Sequence, residues 1–434
     1  MPCEIVNGAH GISAPVLTRK PLSLLAFTRS LLACYKHARI TARLDDMMTR
    51  SFSNTIGPCL RIGLTGILLW SAGIILNGAT PASQTGNQSF RMATPGYLYQ
   101  FPRDHGSHDE FRTEWWYYTG HLKATNGRRF GFQVTFFRRG IDPHSIHTFP
   151  SQWTIRHLYL AHVSLSDLDG GRFHFGEKIS REGLGKAGAE SGHLHVWIDQ
   201  WSAQAREVQP TAHRLQAVHD NFSIDLIVSP LKPPTVHGHD GLSRKGDETG
   251  QASHYYSLTR LATQGRISLN NETFQVDGMS WMDHEFTSAD LGQEVVGWDW
   301  FSLQLSDERD LMLYQLRRGD GSADGASSGT IIEADGKATF LSPAEFTIKP
   351  LSSWISPTSK ARYPSRWRLT CPSLHLDVEI TPLLADQELV TRRSTQVTYW
   401  EGAVQVRGTA GSPTITGHGY VELTGYAERF SKQL

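Results

Sequence analysis

Cysteine is scarce in this 434-residue sequence, and its positions exclude a disulfide framework for most of the chain. There are four cysteines, and three of them (Cys3, Cys34 and Cys59) precede residue 60. The fourth, Cys371, is therefore alone in the rest of the chain. A single cysteine can form neither an intramolecular disulfide nor a thiolate metal site, so this part of the protein has to be stabilised by packing.

An excess of charge of one sign is also missing. The sequence has 42 Lys+Arg against 42 Asp+Glu and a pI near 7.4. Proteins that bind nucleic acid or an anionic membrane use a surplus of positive charge to attract the phosphates. The composition therefore predicts no nucleic acid partner. The plentiful aromatic residues (12 Trp, 13 Tyr and 19 Phe) line apolar ligand cavities as readily as they fill cores, so an apolar small molecule or lipid is the ligand class that they allow.

Long hydrophobic runs are absent after residue 76. The run 62–76 follows Arg50 and Arg61, is shorter than the roughly 20 residues of a spanning helix, and precedes small residues up to Ser83. This pattern is typical of a secretory signal, so we expect residues 47–83 to direct a secreted or periplasmic protein. An uncleaved membrane anchor is the alternative. Residues 1–46 are either upstream of the true start or a cytoplasmic extension.

Extended amphipathic helical patterns are missing after residue 90, and strand patterns take their place. The stretch "RRFGFQVTFFRR" (128–139) alternates apolar and polar side chains with the period of a half-buried strand. Similar alternation occurs at 157–165, 172–179, 193–198, 222–228, 254–261, 298–305, 310–318, 374–380 and 420–426. Turn sequences such as "SLNNETF" separate these runs. The sequence therefore predicts an all-β protein of antiparallel strands, arranged as sandwiches or barrels.

The number of strands exceeds what one small barrel can hold, so we expect two β-domains in tandem. The polar, Pro- and Gly-rich stretch 228–253 is one possible boundary between them. A boundary near Ser288 is the other.

Two blocks of sequence resemble a known family. The stretches "YQFPRDHGSHDEFRTEWWYYTGHL" (99–122) and "GRRFGFQVTFFR" (127–138) resemble the opening of the carotenoid 1,2-hydratase family, also called hydroxyneurosporene synthase-like or AttH-like. The later stretches "HYYSLTRL", "SWMDHEF" and "GWDWFSLQL" continue the similarity in the same order. The resemblance covers roughly residues 97–430. It implies two lipocalin-like barrels, at 90–288 and 289–434, and it favours the boundary near Ser288.

The resemblance also implies an activity. The named members of the family add water to the terminal 1,2 double bond of an acyclic carotenoid without a metal or an organic cofactor. Their acid corresponds to Asp283, and their helper residues correspond to His254, Tyr256 and Trp281. In those hydratases a Trp and a Tyr stand where this chain has Tyr256 and Trp281. The exchange of the aromatic pair would change the fit of the substrate.

The chemistry of hydration explains why such residues would be needed. Protonation of an alkene carbon needs an acid, and an apolar wall keeps a carboxyl protonated because burial disfavours its charged form. Aromatic faces stabilise a nearby cation, and histidine can take a proton from water. We therefore expect Trp281 to keep Asp283 protonated. The alternative is that Asp283 only accepts hydrogen bonds at the end of a strand.

The stretch "RTEWWYYTG" supplies the predicted substrate-binding residues Glu114, Trp115, Trp116 and Tyr118. Side chains alternate along a strand, so we expect one Trp ring to line the cavity and the other to pack in a seam. Glu114 is either a second acid in the cavity or a partner of Arg112 or Arg138.

Motifs of other enzyme classes are lacking. There is no nucleophile elbow, zinc-protease helix, phosphate loop or dinucleotide fingerprint. The cluster "RDHGSHDE" (103–110) could support a metal-assisted secreted hydrolase, but it lacks an obvious distant ligand, and we expect no metal and no cofactor. A non-catalytic carrier of a hydrophobic ligand, associated with a membrane export system, is the remaining alternative.

Overall fold

The computed structural model describes residues 90–141, 155–239 and 241–430. The predicted extension (1–46) and signal segment (47–83) lie outside the described residues. Among the residues that are described, no helix is both long enough and apolar enough to cross a membrane. The described residues all belong to one compact unit, Ser83–Leu434.

The first sheet is antiparallel and 13-stranded. A short 3-10 helix, Arg103–His105, precedes it. Its strands are β1 (Thr113–Ala124), β2 (Arg129–Gly140), β3 (His157–Asp167), β4 (Arg172–Arg181), β5 (Ala187–Ala189), β6 (His195–Ile198), β7 (Trp201–Ala205), β8 (His213–His219), β9 (Phe222–Pro230), β10 (Thr235–Val236), β11 (Ser243–Arg244), β12 (Ala252–Leu269) and β13 (Glu272–Thr287). The order is β4-β3-β2-β1-β13-β12-β9-β8-β7-β6-β5, and β10 and β11 pair with β12. The terminal strands β4 and β5 approach each other, so the sheet curls into a barrel-like shape.

The second sheet is antiparallel and 10-stranded. Its strands are β14 (Val295–Leu305), β15 (Asp310–Arg318), β16 (Ser328–Ile332), β17 (Ala338–Leu341), β18 (Thr347–Ile355), β19 (Arg362–Cys371), β20 (Leu376–Pro382), β21 (Glu388–Val390), β22 (Thr398–Ala410) and β23 (Thr414–Leu423). The order is β17-β16-β15-β14-β23-β22-β20-β19-β18, and β21 pairs with β22. A second 3-10 helix, Pro372–Leu374, precedes β20.

The turn between β12 and β13 shows how local sequence sets the strand pairing. Asn270 and Asn271 both have positive φ values, 52° and 69°. A two-residue hairpin of this kind needs positive φ at both central residues, and asparagine tolerates that conformation better than most residues. The hairpin predicted from "SLNNETF" is therefore confirmed. The observed strand that corresponds to the prediction at 420–426 begins and ends earlier, because β23 spans Thr414–Leu423.

The all-β, lipocalin-like expectation is confirmed by these two curled antiparallel sheets. Each sheet encloses its own apolar core, with Phe132 and Leu226 in the first and Trp367 and Val404 in the second. The strands change from one sheet to the other between Thr287 and Val295. Both sheets belong to one compact unit, and the domain boundary at Ser288 stays a prediction.

The outer faces of the two sheets also pack against each other. Aromatic residues from both sheets form this contact, including Tyr117, Tyr255 and Trp281 from the first and Trp300 and Tyr314 from the second. Side chains alternate along a strand, so a residue in β1 or β13 points either into the first barrel or toward the second sheet. This choice decides which predicted residues can share a site.

Candidate active site

A cavity of about 150 Å³ lies between the two sheets. The first sheet contributes Trp115, Tyr117, Gln133, Thr135, Phe137, His162, Tyr255, Asp283 and Glu285. Trp298, Trp300, Tyr314, Leu316, Tyr399, Glu401 and Glu422 of the second sheet line it as well. The lining is completed by residues between the strands or after the last strand, namely Lys245, Leu291, Thr395, Val397, Thr424 and Phe430. Aromatic residues are therefore the largest group in the lining, and four acids are among the other residues.

Asp283 on β13 is the acid that the sequence singled out, and its side chain is buried in this cavity. Trp281 Nε1 donates to its Oδ1 at 2.6 Å, Tyr255 Oη donates to its Oδ2 at 2.6 Å, and Ser257 Oγ donates to Oδ1. Burial raises the pKa of Asp283 to about 7, although the three donors oppose that rise. At neutral pH a large share of the molecules hold this carboxyl protonated.

The donors to Asp283 are themselves held in place. Trp300 Nε1 donates to Tyr255 Oη at 3.1 Å, which ties the second sheet to the Asp283 side of the cavity. His237 Nε2 lies 2.6 Å from Ser257 Oγ, and its Nδ1 lies 2.9 Å from Thr330 Oγ1. Burial lowers the pKa of His237 to about 3, so this imidazole is neutral. The hydrogen-bonded shell fixes the position of the carboxyl without adding a charge to it.

Lys245 supplies the positive charge at the edge of the cavity. Its Nζ lies 3.1 Å from Glu285 Oε1 and 4.2 Å from the centre of the Tyr314 ring. Burial opposes the charge on Lys245, but attraction to Glu285 and Tyr314 prevails and raises its pKa. Lys245 is therefore paired with Glu285, and among the residues described no guanidinium contacts Asp283.

The structure separates the predicted catalytic residues onto two faces of the first sheet. Trp281 and Asp283 lie on the face of β13 that packs toward the second sheet, and Asp283 lines the cavity. In the pairing of β12 with β13, Tyr256 lies opposite His284 and Ser257 lies opposite Asp283. Tyr256 and His254 therefore point to the other face, away from Asp283. The two helpers and the acid are not brought together in one site.

The predicted substrate-binding residues of β1 are separated in the same way. Trp115 lines the cavity, whereas Trp116 and Tyr118 pack in the core of the first barrel. This arrangement agrees with the expectation that one Trp ring lines the cavity and the other packs in a seam. Glu114 is fully buried and Arg138 Nε donates to its Oε2 at 3.0 Å, so it is the partner of Arg138 and not a cavity acid.

Glu114 belongs to a polar network inside the first barrel, which also brings a distant residue to the 103–110 cluster. Its Oε1 lies 2.7 Å from His108 Nδ1 and 2.8 Å from His284 Nε2. The three ligand atoms lie within 4.8 Å of one another, which is the spacing of a possible metal site. The sequence showed no obvious distant ligand for the 103–110 cluster, and the structure brings Glu114 of β1 and His284 of β13 to its His108.

The charges of this network nevertheless fit hydrogen bonding better than a metal ion. His108 Nε2 lies 3.5 Å from Asp104 Oδ1, so both ring nitrogens face carboxylates. Burial favours the neutral ring, but the bonds to Asp104 and Glu114 prevail and raise the pKa of His108 to about 9. An imidazolium has no lone pair to offer a metal, and Arg138 already neutralises Glu114.

The sequence analysis missed several residues that line the cavity or bond to Asp283. Glu401 and Glu422 lie in β22 and β23, and Tyr255 and Ser257 hold Asp283 in place. Glu422 stands in a strand-like run, "YVELTGY", as an acid where the alternation would allow an inward position. That signal is too weak to find it, because outward-facing acids are common in strands.

The AttH-like family model matches residues 92–426. A solved structure of a candidate AttH from Nitrosomonas europaea is 35% identical, with a TM-score of 0.69, over 78% of this chain and 100% of that chain. Kievitone hydratase from Nectria haematococca is 16% identical, with a TM-score of 0.60, over 79% of this chain and 97% of that chain. At 16% identity, the similarity to kievitone hydratase concerns the fold alone. A comparison with curated proteins returned no match.

Proposed function

This chain belongs to the AttH-like family, and we propose that it is a hydratase that adds water to a carbon–carbon double bond of an apolar isoprenoid or lipid. In this proposal Asp283 is the proton donor and the reaction needs neither a metal nor an organic cofactor. The cavity between the sheets is the active site.

The observation that carries the proposal is the state of the Asp283 carboxyl. It is buried among Trp281, Tyr255 and Trp300, and it forms no ion pair within the described residues, since Lys245 pairs with Glu285. Burial raises its pKa to about 7, so the acid form is available where an exposed aspartic acid would be ionised. General acids work best when their pKa lies near the operating pH.

The aromatic lining suits the intermediate of this reaction. When Asp283 gives its proton to an alkene carbon, the O–H bond breaks, a C–H bond forms and the neighbouring carbon becomes a carbocation. The faces of Trp300, Tyr255 and Tyr314 attract a cation through their ring quadrupoles. Water then forms the C–O bond and loses a proton to a base. Each cycle consumes one water molecule and restores the acid.

The carrier function remains the second candidate, because an aromatic cavity can bind a hydrophobic ligand without any use of its acid. The carrier proposal assigns no role to a protonated Asp283. The hydratase and carrier proposals therefore predict different results for the Asp283→Asn variant.

The test uses lycopene, an acyclic carotenoid, in detergent micelles with the purified protein. We expect a hydroxylated product from the wild type and a loss of at least about 100-fold in Asp283→Asn, the usual range for removing a general acid. The matched control is Asp299→Asn. Asp299 is buried in β14, but it accepts from Arg317 Nε at 2.8 Å and does not line the cavity. Lycopene that binds equally to wild type and Asp283→Asn without product would favour the carrier.

A further inference from the structure

A pair of glutamates occupies the wall contributed by the second sheet. Glu401 in β22 and Glu422 in β23 lie directly opposite each other in the strand pairing. Both line the cavity that contains Asp283. Opposed residues of neighbouring strands place their Cβ atoms about 5 Å apart on the same face. The two carboxyl groups therefore lie close together in an apolar environment, where two like charges are costly.

The acids around this pair raise the free-energy cost of ionising both glutamates at once. Repulsion from Asp283 and Glu285 of β13 acts on Glu422, and repulsion from Glu422 acts on Glu401. The other titratable groups that line the cavity are Tyr117, Tyr255, Tyr314, Tyr399, His162 and Lys245. Lys245 is paired with Glu285, and His162 is neutral because burial lowers its pKa to about 3.

The pair consequently retains a proton. Burial, followed by repulsion from Asp283 and Glu285, raises the pKa of Glu422 to about 7, although the Trp298 indole opposes the rise. Burial and repulsion from Glu422 raise the pKa of Glu401 above its usual range. Two interacting carboxyls in a dry site lose their protons in two separate steps, so near neutral pH one carboxyl of the pair can be ionised while the other keeps its proton.

Polar atoms beside the pair lack well-formed hydrogen bonds. Tyr117 Oη, Gln133 Oε1 and Glu401 Oε1 are buried, and none makes a hydrogen bond of normal geometry within the part of the chain that is described. Tyr117 and Glu401 are nevertheless close enough to shift each other's pKa. All three residues line the same cavity. A buried polar atom without a partner is costly, and such atoms at a cavity wall are suited to a small polar ligand such as water.

We propose that the Glu401–Glu422 pair is the base that binds and deprotonates the attacking water, on the wall opposite Asp283. This inference rests on the proposed function and supplies its second catalytic group. As the C–O bond forms, an O–H bond of water breaks and the proton passes to the ionised glutamate. The pair then holds two protons and Asp283 holds none. Tyr117, which lies opposite Asp283 in the pairing of β1 with β13 and feels the charge of Glu401, is placed to return one proton.

The test separates proton donation from capture by water. Wild type, Asp283→Asn, Glu422→Gln and the double variant Glu401→Gln/Glu422→Gln are incubated with lycopene in D₂O. Recovered lycopene is analysed for deuterium, and the hydroxylated product is quantified. We expect the double variant to lose at least about 100-fold in product while lycopene still gains deuterium, because its carbocation returns to the alkene. Asp283→Asn should lose both.

The control for replacing a buried glutamate is Glu388→Gln. Glu388 in β21 accepts from Ser356 Oγ at 2.6 Å and Tyr363 Oη at 2.9 Å, and it lies outside the cavity. It should leave both readouts unchanged. Glu422→Gln alone gives the same comparison if the double variant does not fold. A folded pair variant that hydrates lycopene at the wild-type rate, or that loses deuterium uptake together with product, overturns the proposal.

A second readout does not depend on turnover. Infrared spectra of ligand-free Asp283→Asn at neutral pH, from which the signal of Asp283 itself is removed, should contain a protonated carboxyl component that is lost when Glu401→Gln/Glu422→Gln is added and remains when Glu388→Gln is added. The absence of any such loss overturns the shared proton on which the proposal depends. If the wild type does not hydrate lycopene but the spectra show the shared proton, the proposed hydratase function is wrong. The shared proton of the Glu401–Glu422 pair is then still supported.

Discussion

Trp281 donates its indole N–H to Asp283, two residues further along the same strand, at 2.6 Å. A donor of this kind favours the ionised carboxylate, so it lowers the pKa of Asp283 and does not keep it protonated. The sequence-based expectation for Trp281 was therefore wrong in its sign. Burial by the whole aromatic cavity is the larger effect, and it is what raises this pKa to about 7. Trp281 fixes the carboxyl and limits the rise.

Replacing Trp281 by Phe should raise the pKa of Asp283 further, by about one unit, because the ring stays apolar and one donor is lost. The part of the protonated carboxyl signal that Asp283→Asn removes is followed in an infrared pH titration, and its midpoint measures this pKa. Trp201→Phe is the matched control, since Trp201 donates to the Val218 carbonyl at 2.7 Å and lies outside the cavity. A midpoint that moves down in Trp281→Phe would contradict this account.

The raised pKa of Asp283 should also appear in the stability of the protein. The folded state keeps a proton up to about pH 7, whereas the unfolded chain releases it near pH 4. Stability should therefore fall as pH rises from about 4 to about 7, by up to about 4 kcal/mol from this group, and then level off. Asp283→Asn should remove that part of the slope in denaturant unfolding at pH 5 and pH 8.

The control for this slope is Asp225→Asn. The bond from Arg214 lowers the pKa of Asp225, so this carboxylate contributes stability that is present above the unfolded pKa. Its removal should leave the fall between pH 4 and 7 in place. An equal slope in wild type and Asp283→Asn would mean that Asp283 is ionised in the folded protein.

Removing Arg138 should destabilise the first barrel strongly. Arg138 is fully buried, and it donates to Glu114 at 3.0 Å and to the His108 carbonyl at 2.8 Å. Arg138→Ala removes the guanidinium that pairs with the buried Glu114 carboxylate, and breaking a buried ion pair typically costs about 3–5 kcal/mol. Arg129→Ala removes an exposed pair with Asp169 and should cost at most about 1 kcal/mol. Urea unfolding of both variants makes the comparison, and equal losses would contradict it.

The contact between the two sheets depends on a glycine. A Cβ at Gly131 in β2 would lie 2.6 Å from Tyr420 Oη and 2.9 Å from Ala403 Cβ. Gly131→Ala should therefore push the sheets apart and cost about 1–3 kcal/mol, the usual range for overpacking. A Cβ at Gly325 would meet open space, so Gly325→Ala is the control in thermal unfolding. A Gly131→Ala variant as stable as wild type would argue against this close approach.

Zinc ions or a chelator should leave the melting temperature unchanged at neutral pH. His108, Glu114 and His284 have the spacing of a ligand set, but His108 carries a proton between two carboxylates and Arg138 neutralises Glu114. A metal would have to displace that proton. Differential scanning fluorimetry with Zn²⁺ and with EDTA tests this, and a melting temperature that rises with Zn²⁺ would restore the metal-site interpretation.

The sequence by itself determined the strands, because alternation with period two is a local property. The runs at 157–165 and 310–318 correspond to β3 and β15, and the Asn270–Asn271 turn was readable from its residue types. It also identified Asp283 as an unusual acid in an aromatic strand. These features depend on neighbours within a few residues.

Only the tertiary structure decided which face of each strand meets which partner. Alternation places Asp283 and His284 on opposite faces, but it does not tell which face the second sheet covers. The packing of the sheets puts Asp283 in a shared cavity with Glu401 and Glu422, and it buries His284 with Glu114 in the first barrel. Desolvation and repulsion between carboxyls arise from residues far apart in the chain, and no local pattern records those distances.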